Sequence, residues 1–283
     1  MKKYIVTGGA GFIGSHLTDE LISQGHDVIV VDNLSSGYKE NIHSKAVFQH
    51  IDILDKDALK KAFAGADGVF HMAAIVSVQY SLEHPEETYE INVTGTKNVV
   101  EAARANGIKK VVFSSSAAVY GDYDGGDPID ESFPLNPKSP YGEHKMLGEK
   151  IADFSLRYFN VYGNRQRADS PYAGVIAQFM KKHREGKALT LFGDGSQTRD
   201  FVSVLDVVDA NIKAMESIIQ KDVVNIGSGV SVSIKEIAEI LGGEIQYLPA
   251  RIEPKNSKAN ISKAKKLLTW APRQELRYFL KSI

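Results

Sequence analysis

The chain has 283 residues, 43% hydrophobic and 24% charged, with a formal net charge of −1. That length fits one large domain with a smaller lobe, and the charge leaves no basic excess for nucleic acid or an anionic membrane surface. There is no cysteine, which excludes disulfides, thiolate metal ligation and a cysteine nucleophile, and fits a reducing cytoplasm.

In chain order, short β-branched runs alternate with helical patterns. They predict strands at 4–7, 27–31, 47–51, 68–71 and 110–114, with a first helix over 15–23 and the longest from about 86 to 105. Such alternation predicts an α/β fold: a Rossmann-type, doubly wound parallel sheet covered on both faces. After Gly163 the pattern loosens around the glycine-rich turns "FGDGSQ" and "NIGSGV". The expected division is a dinucleotide-binding domain over 1–162, with return segments at about 197–227, and a smaller C-terminal α/β lobe taking most of 163–283. No run approaches the roughly 20 apolar residues that span a bilayer. The opening "MKKYIVTGGAGFIGSHL" is too broken by glycine to read as a signal peptide.

The first strand runs into "TGGAGFIGSHL", which sets Gly8, Gly11 and Gly14 between a strand and a helix. Small residues let the backbone approach a pyrophosphate, and the helix N-terminus supplies free N–H groups. A lone glycine motif is weak evidence. Here Asp32 follows at the end of the second strand, placed to accept hydrogen bonds from ribose hydroxyls and to repel a 2′-phosphate, so the expected cofactor is NAD.

"SPYGEHK" places Tyr141 and Lys145 four residues apart. With Pro140 opening a helix, they share one face. At about 6 Å and an effective dielectric near 20, the lysine charge favours a phenolate by roughly 2–3 kcal/mol, which makes Tyr141 a candidate base. "VVFSSSAAVYG" ends a central strand in Ser114, Ser115 and Ser116, at the carboxyl edge where ligands of parallel sheets bind.

Together with "VDNLSSG", "FHMAA", "INVTGTKNVVEAA", "LRYFNVYG", "FGDGSQTRDFVSVLDV" and "NISKAKKLL", these segments resemble, nearly end to end and in order, the extended short-chain dehydrogenase/reductase family. The likeness is to its NAD-dependent nucleotide-sugar epimerases of the UDP-glucose 4-epimerase type. The resemblance implies Ser116, Tyr141 and Lys145 as the catalytic residues, with Ser115 structural and Tyr120 not the base. It implies NAD contacts from Gly8, Gly11, Phe12, Ile13, Gly14, Asp32, Asn33, Ser36, Gly37, Asp52, Ile53, Met72, Ala73, Ala74, Asn92, Ser114, Tyr141, Lys145 and Phe159.

For a UDP-sugar the resemblance implies Ser116 beside the hexose and Asn160, Arg199 and Arg251 on the diphosphate. Thr190 and Phe192 would flank the uracil, Glu253 would meet the ribose, and Ser257 would gate the C2 substituent. Ala117 and Ala118 stand where related dehydratases carry Asp and Glu. Neither can move a proton, so simple C4 epimerisation is favoured. Other NAD-dependent nucleotide-sugar enzymes (uronate or dTDP-sugar epimerases) and a non-catalytic NAD-binding regulator remain as alternatives. A homodimer formed through the 86–105 helix and the helix after Pro140 is also implied. Between Lys145 and Arg157 the chain is about ten residues shorter than the family pattern. A helix from Pro140 to about Ile151 would still span roughly 18 Å, enough for the crossover to close.

Overall fold

The computed structural model describes every residue except 123–125, 127, 170–172 and 251–254. In chain order the first half runs β1 (Lys3–Thr7), α1 (Phe12–Ser23), β2 (Asp27–Asp32), β3 (Val47–His50), α2 (Lys56–Ala62), β4 (Gly68–His71), α3 (Val78–Glu83), α4 (Pro85–Tyr89), α5 (Gly95–Ala105), β5 (Val111–Ser116), α6 (Pro140–Ile151) and β6 (Phe154–Tyr158). The second half runs β7 (Asn160–Tyr162), α7 (Val175–Arg184), β8 (Leu189–Phe192), β9 (Thr198–Ser203), α8 (Val204–Glu216), β10 (Asp222–Ile226), β11 (Ser231–Ser233), α9 (Ile234–Leu241), β12 (Ile245–Leu248), α10 (Ser262–Leu268) and α11 (Leu276–Lys281).

Among the described residues, seven strands form one parallel sheet in the order β10-β6-β5-β4-β1-β2-β3. The strands β1, β2, β4 and β5 are apolar on both faces, as a sheet covered by helices on both sides requires: Ile5, Val6, Val30, Val31, Val69, Phe70, Val111 and Val112 are all buried. One face packs on Leu17 and Leu21 of α1 and Val207 and Ala210 of α8. The other packs on Leu59 of α2 and Val99 and Ala103 of α5. The strand order reverses between β1 and β4, which opens a crevice at the carboxyl ends.

The rest of the chain builds two small sheets, β11-β9-β7 and β12-β8, around a separate core that includes Phe179, Leu191, Phe201 and Ile237. β10 returns to the main sheet beside β6. So does a segment that the division at residue 163 leaves in the second lobe: Ala259, Ile261, Ala264, Leu268 and Trp270 all join the main core.

Three local features bear on the site. β5 runs two residues past the expected Ser114, because Ser115 and Ser116 still pair with Arg157 and Tyr158 of β6. α4 and α5 are joined by a π-helical turn, Glu90–Thr94, an irregularity that concentrates at functional sites. α6 occupies Pro140–Ile151, and only Ala152 and Asp153 separate it from β6. The short return closes without glycine because Asp153 is held: its carboxylate accepts from Val111 N at 2.8 Å and pairs with Arg104. No helix among the described residues is long and apolar enough to cross a membrane.

Candidate active site

The glycines after β1 form a cradle in which added atoms do not fit. Gly8 has φ +69°, and a Cβ there would lie 2.7 Å from Ala73 N at the end of β4. A Cβ on Gly14 would lie 2.2 Å from Gly8 O. Gly11 caps α1 with no side chain on the first-turn amides, so those N–H groups stay available to an anion. Asp32 closes the cradle at the tip of β2, its two oxygens accepting from Ala10 N (3.0 Å) and Leu34 N (2.8 Å). Asn33 donates to Asp52 at 2.8 Å, and Gly37 lies so close to Ala10 that a Cβ would approach to 2.7 Å. These features fit a dinucleotide with a free ribose diol: tight backbone for the pyrophosphate, an unsatisfied helix start, and a fixed carboxylate.

Two of the expected cofactor residues are held by the backbone of neighbouring segments. The Asn92 amide accepts from Ile75 N (2.8 Å) and donates to Ile75 O (2.9 Å). In this structure it fixes the 72–76 loop, which carries Met72, Ala73 and Ala74. Phe159 is buried and donates its backbone N–H to Ile226 O of β10.

The serine, tyrosine and lysine come together. Ser139 caps α6 by accepting from Gly142 N (3.2 Å), Pro140 takes the first turn, and Tyr141 N donates to Ser81 Oγ of α3 (3.1 Å). Gly142 and Gly148 let α6 lie close to β5: a Cβ on Gly148 would come 2.4 Å from the Phe113 ring, and one on Gly142 would come 2.6 Å from Ala118 O. As a result Lys145 Nζ donates to Ser114 O at 2.6 Å and sits 5.8 Å from the Tyr141 ring centroid. Ser116 accepts from Ala118 N at 3.1 Å and hydrogen-bonds the Tyr141 side chain.

The electrostatics correct one expectation. Without cofactor, burial is the dominant influence on Tyr141 and pushes its pKa up; only the Ser116 hydrogen bond pulls it down. The expected depression by Lys145 fails because the lysine is itself buried, its pKa brought down to about 7 by desolvation against the raising effect of Glu149. Tyr120 is a still weaker candidate base. Burial pushes it up to about 12, and its hydroxyl donates to Asn225 (2.6 Å) while accepting from Arg157 (2.9 Å).

With this geometry in place, the chain can be set beside known proteins. Residues 4–227 match the NAD dependent epimerase/dehydratase family. The chain belongs to that family. A UDP-glucose 4-epimerase of Mycolicibacterium smegmatis is 38% identical over 297 residues, covering 96% of this chain and 94% of its own. The structure of a Thermotoga maritima UDP-glucose 4-epimerase with UDP-glucose matches with a TM-score of 0.94 and 37% identity, over 99% of this chain and 96% of that one. A UDP-N-acetylglucosamine 4-epimerase from Methanobrevibacter ruminantium, in complex with UDP-N-acetylmuramic acid, matches with a TM-score of 0.93 and 37% identity, over the same shares. The protein is an isomerase of the extended short-chain dehydrogenase/reductase type, its cofactor is NAD, and its relatives are UDP-glucose 4-epimerases and related UDP-sugar epimerases and decarboxylases.

Within this family member, the expected substrate residues fall into two groups. Asn160 on β7 and Arg199 on β9 lie on paired strands, with Asn160 opposite Phe201. Asn160 donates to Asp200 O (3.2 Å) and Arg199 to Thr198 O (2.9 Å). Ser257 is tied to the same sheet, its carbonyl accepting from Ser231 Oγ of β11 at 3.0 Å. Thr190 and Phe192 stand two apart on β8, the former hydrogen-bonded to Lys182. Gln197 Nε2 donates to Phe192 O (3.3 Å), joining the two groups. Arg251 and Glu253 lie outside the described residues.

The motif reading missed the polar residues behind the site. Glu149 and Arg157 form a buried ion pair at 2.7 Å. His71 is fully buried between Thr7 (2.7 Å) and Thr96 (2.9 Å), and desolvation with the Lys145 charge brings it down to about 3, so it is neutral. The signal for Glu149 was available: it stands four residues after Lys145, on the face that already carries Tyr141.

Proposed function

We propose that this enzyme interconverts UDP-galactose and UDP-glucose by epimerisation at C4 and also accepts the N-acetyl forms. The observation that carries the reading is the meeting of Ser116, Tyr141 and Lys145 at the carboxyl end of the central strand, followed by Ala117 and Ala118, which cannot act on C5 and C6. NAD, when bound, supplies the reversible oxidation at C4. Tyr141 as phenolate takes the O4 proton. Ser116 hydrogen-bonds that oxygen and keeps it in line with the phenol, Lys145 would hold the nicotinamide ribose, and the positive nicotinamide, when bound, would favour the phenolate against the burial that opposes it. Asn160, Arg199 and Arg251 hold the diphosphate, the arginines with planar forks suited to its oxygens. Thr190 and Phe192 flank the uracil, Glu253 meets the ribose, and two copies pair through α4–α5 and α6.

The test is to incubate purified protein with UDP-galactose, adding no NAD, and to follow the anomeric protons by NMR. UDP-glucose is expected to appear. Tyr141→Phe is expected to abolish turnover while denatured protein still releases NAD; a regulator would be indifferent to that change. If UDP-galactose stays unchanged although NAD is released, the hexose assignment falls, and UDP-uronic acids and dTDP-hexoses become the next substrates. Ser257→Tyr is expected to lose the N-acetyl sugars and keep UDP-galactose; unchanged N-acetyl turnover places the gate elsewhere.

A further inference from the structure

Behind the serine strand lies a buried polar chain that no step of the proposed reaction uses. Glu149 of α6 is its centre. One carboxylate oxygen accepts from Ser115 Oγ (2.5 Å) and from Arg157 Nε (2.8 Å), and the other accepts from Arg157 Nη2 (2.7 Å). Arg157 of β6 continues to Tyr120, Tyr120 to Asn225 of β10, and Asn225 to Ile129 O (2.9 Å). Glu149 and Arg157 are both buried, their side chains 6% and 5% exposed. A buried ion pair is weak evidence for stability, since its desolvation offsets most of its attraction. What this pair does by its place in the fold is more specific.

Ser115 is the middle residue of the run. Its neighbour Ser116 meets the tyrosine, Ser114 meets the lysine through its backbone carbonyl, and strand alternation turns the Ser115 side chain to the face opposite theirs. The Ser115–Glu149 bond therefore ties α6 to β5 at the residue that fixes which serines face the site. Glu149 is also one helical turn from Lys145 on the same buried face. Among the described residues, the titratable groups around Lys145 are Tyr141 and Glu149 on α6 and His71 on β4, with Arg157 behind Glu149. His71 is neutral. Glu149 is the negative group among them, and it opposes the burial that drives the proton off Lys145.

We propose that Glu149, clamped by Arg157, is a positioning residue for this site: it pins the serine strand to α6 through Ser115 and sustains the positive charge on Lys145. The inference rests on the proton-transfer reading given above, but its test does not need turnover. In cofactor-stripped protein, unfolding by urea is measured across pH for wild type and Lys145→Met, and again for Glu149→Gln with and without Lys145→Met. In each pair, the pH at which the lysine form gains stability over the methionine form reports where Lys145 loses its proton in the fold. The onset is expected to fall by about one pH unit or more in the Glu149→Gln background. The neutral isosteric pair Glu149→Gln/Arg157→Gln, which leaves no unpaired guanidinium, is expected to show a smaller fall in the same direction, because loss of the Arg157 charge offsets part of the change, and serves if the single variant does not fold.

Ser115→Ala separates the two roles. It removes the strand–helix bond without touching the charge, so the onset is expected to stay while kcat falls about tenfold with KM nearly unchanged. An unmoved onset in both Glu149 variants overturns the charge role, and full kcat in Ser115→Ala overturns the pinning role. If wild type turns over no nucleotide sugar, the function reading fails on its own, while the urea cycle still decides the charge on Lys145.

Discussion

Lys145 has its ammonium against Ser114 O and the Phe113 ring (4.9 Å to the centroid), at 2% exposure. Burial brings its folded-state pKa from 10.5 to about 7, which gives a pH dependence of known sign. Below about pH 7 both the folded and the unfolded chain hold the proton, and the fold bears the full cost of the buried charge. Between about 7 and 10.5 the unfolded chain keeps the proton that the folded site has released, so stability rises with pH across that window. Cofactor-stripped protein is expected to gain on the order of a few kcal/mol from this residue between pH 7 and 10, and Lys145→Met to lose that slope; urea midpoints at fixed pH steps check both. At this scale the motif was legible but its electrostatics were not. The i, i+4 spacing places Tyr141 and Lys145 together, whereas the sign of the Tyr141 shift depends on burial, which a spacing does not encode. The same holds for Asn92: a motif position shows that the residue matters near the cofactor, but not that its amide is engaged by the backbone of Ile75.

Elements whose signals are local were legible. Pro140 after a Ser139 cap sets the start of α6, and its observed end at Ile151 is the expected one. The first four strands lie within one residue of the positions expected from their apolar runs. Elements fixed by a distant partner were not. The last two residues of β5 are strand because β6 pairs with them, and the 259–270 return is held by a core built from other parts of the chain. Asp200 of β9 illustrates such long-range fixing. Its fully buried carboxylate accepts from Ser228 N (2.6 Å), Ser228 Oγ (2.7 Å), Gly229 N (2.9 Å) and Ala259 N (2.9 Å), stapling β9 to the turn after β10 and to the final return. Asp200→Ala leaves three amides without their acceptor, that of Ala259 buried and those of Ser228 and Gly229 partly buried. A loss of about 3–5 kcal/mol in urea unfolding is expected; a loss below about 1 kcal/mol would mean that water replaces the carboxylate.

Across the whole molecule, the two lobes also touch at the far end of the cofactor cradle. The Arg167 guanidinium lies 5.2 Å from the Tyr38 ring centroid and donates to Ser36 O (3.2 Å) and Asp169 (3.0 Å), while Tyr38 donates to Asp169 (3.0 Å). Ser36 and Tyr38 belong to the loop that follows Asp32, and Arg167 and Asp169 to the segment leading into the second lobe. The groups are surface-exposed, and exposed ion pairs contribute little to global stability. Its expected effect is on local opening, since a loop clasped from the opposite lobe would have to release before a dinucleotide bound beside it could leave. Arg167→Ala removes the stacking, the ion pair and the bond to Ser36 together. Its urea midpoint is expected to match wild type, while bound NAD is lost severalfold faster when the protein is diluted into a chase of labelled NAD. Equal release rates would show that the loop opens without parting from the second lobe. A lowered urea midpoint accompanying faster release would show that the clasp supports the fold as a whole rather than the cofactor loop.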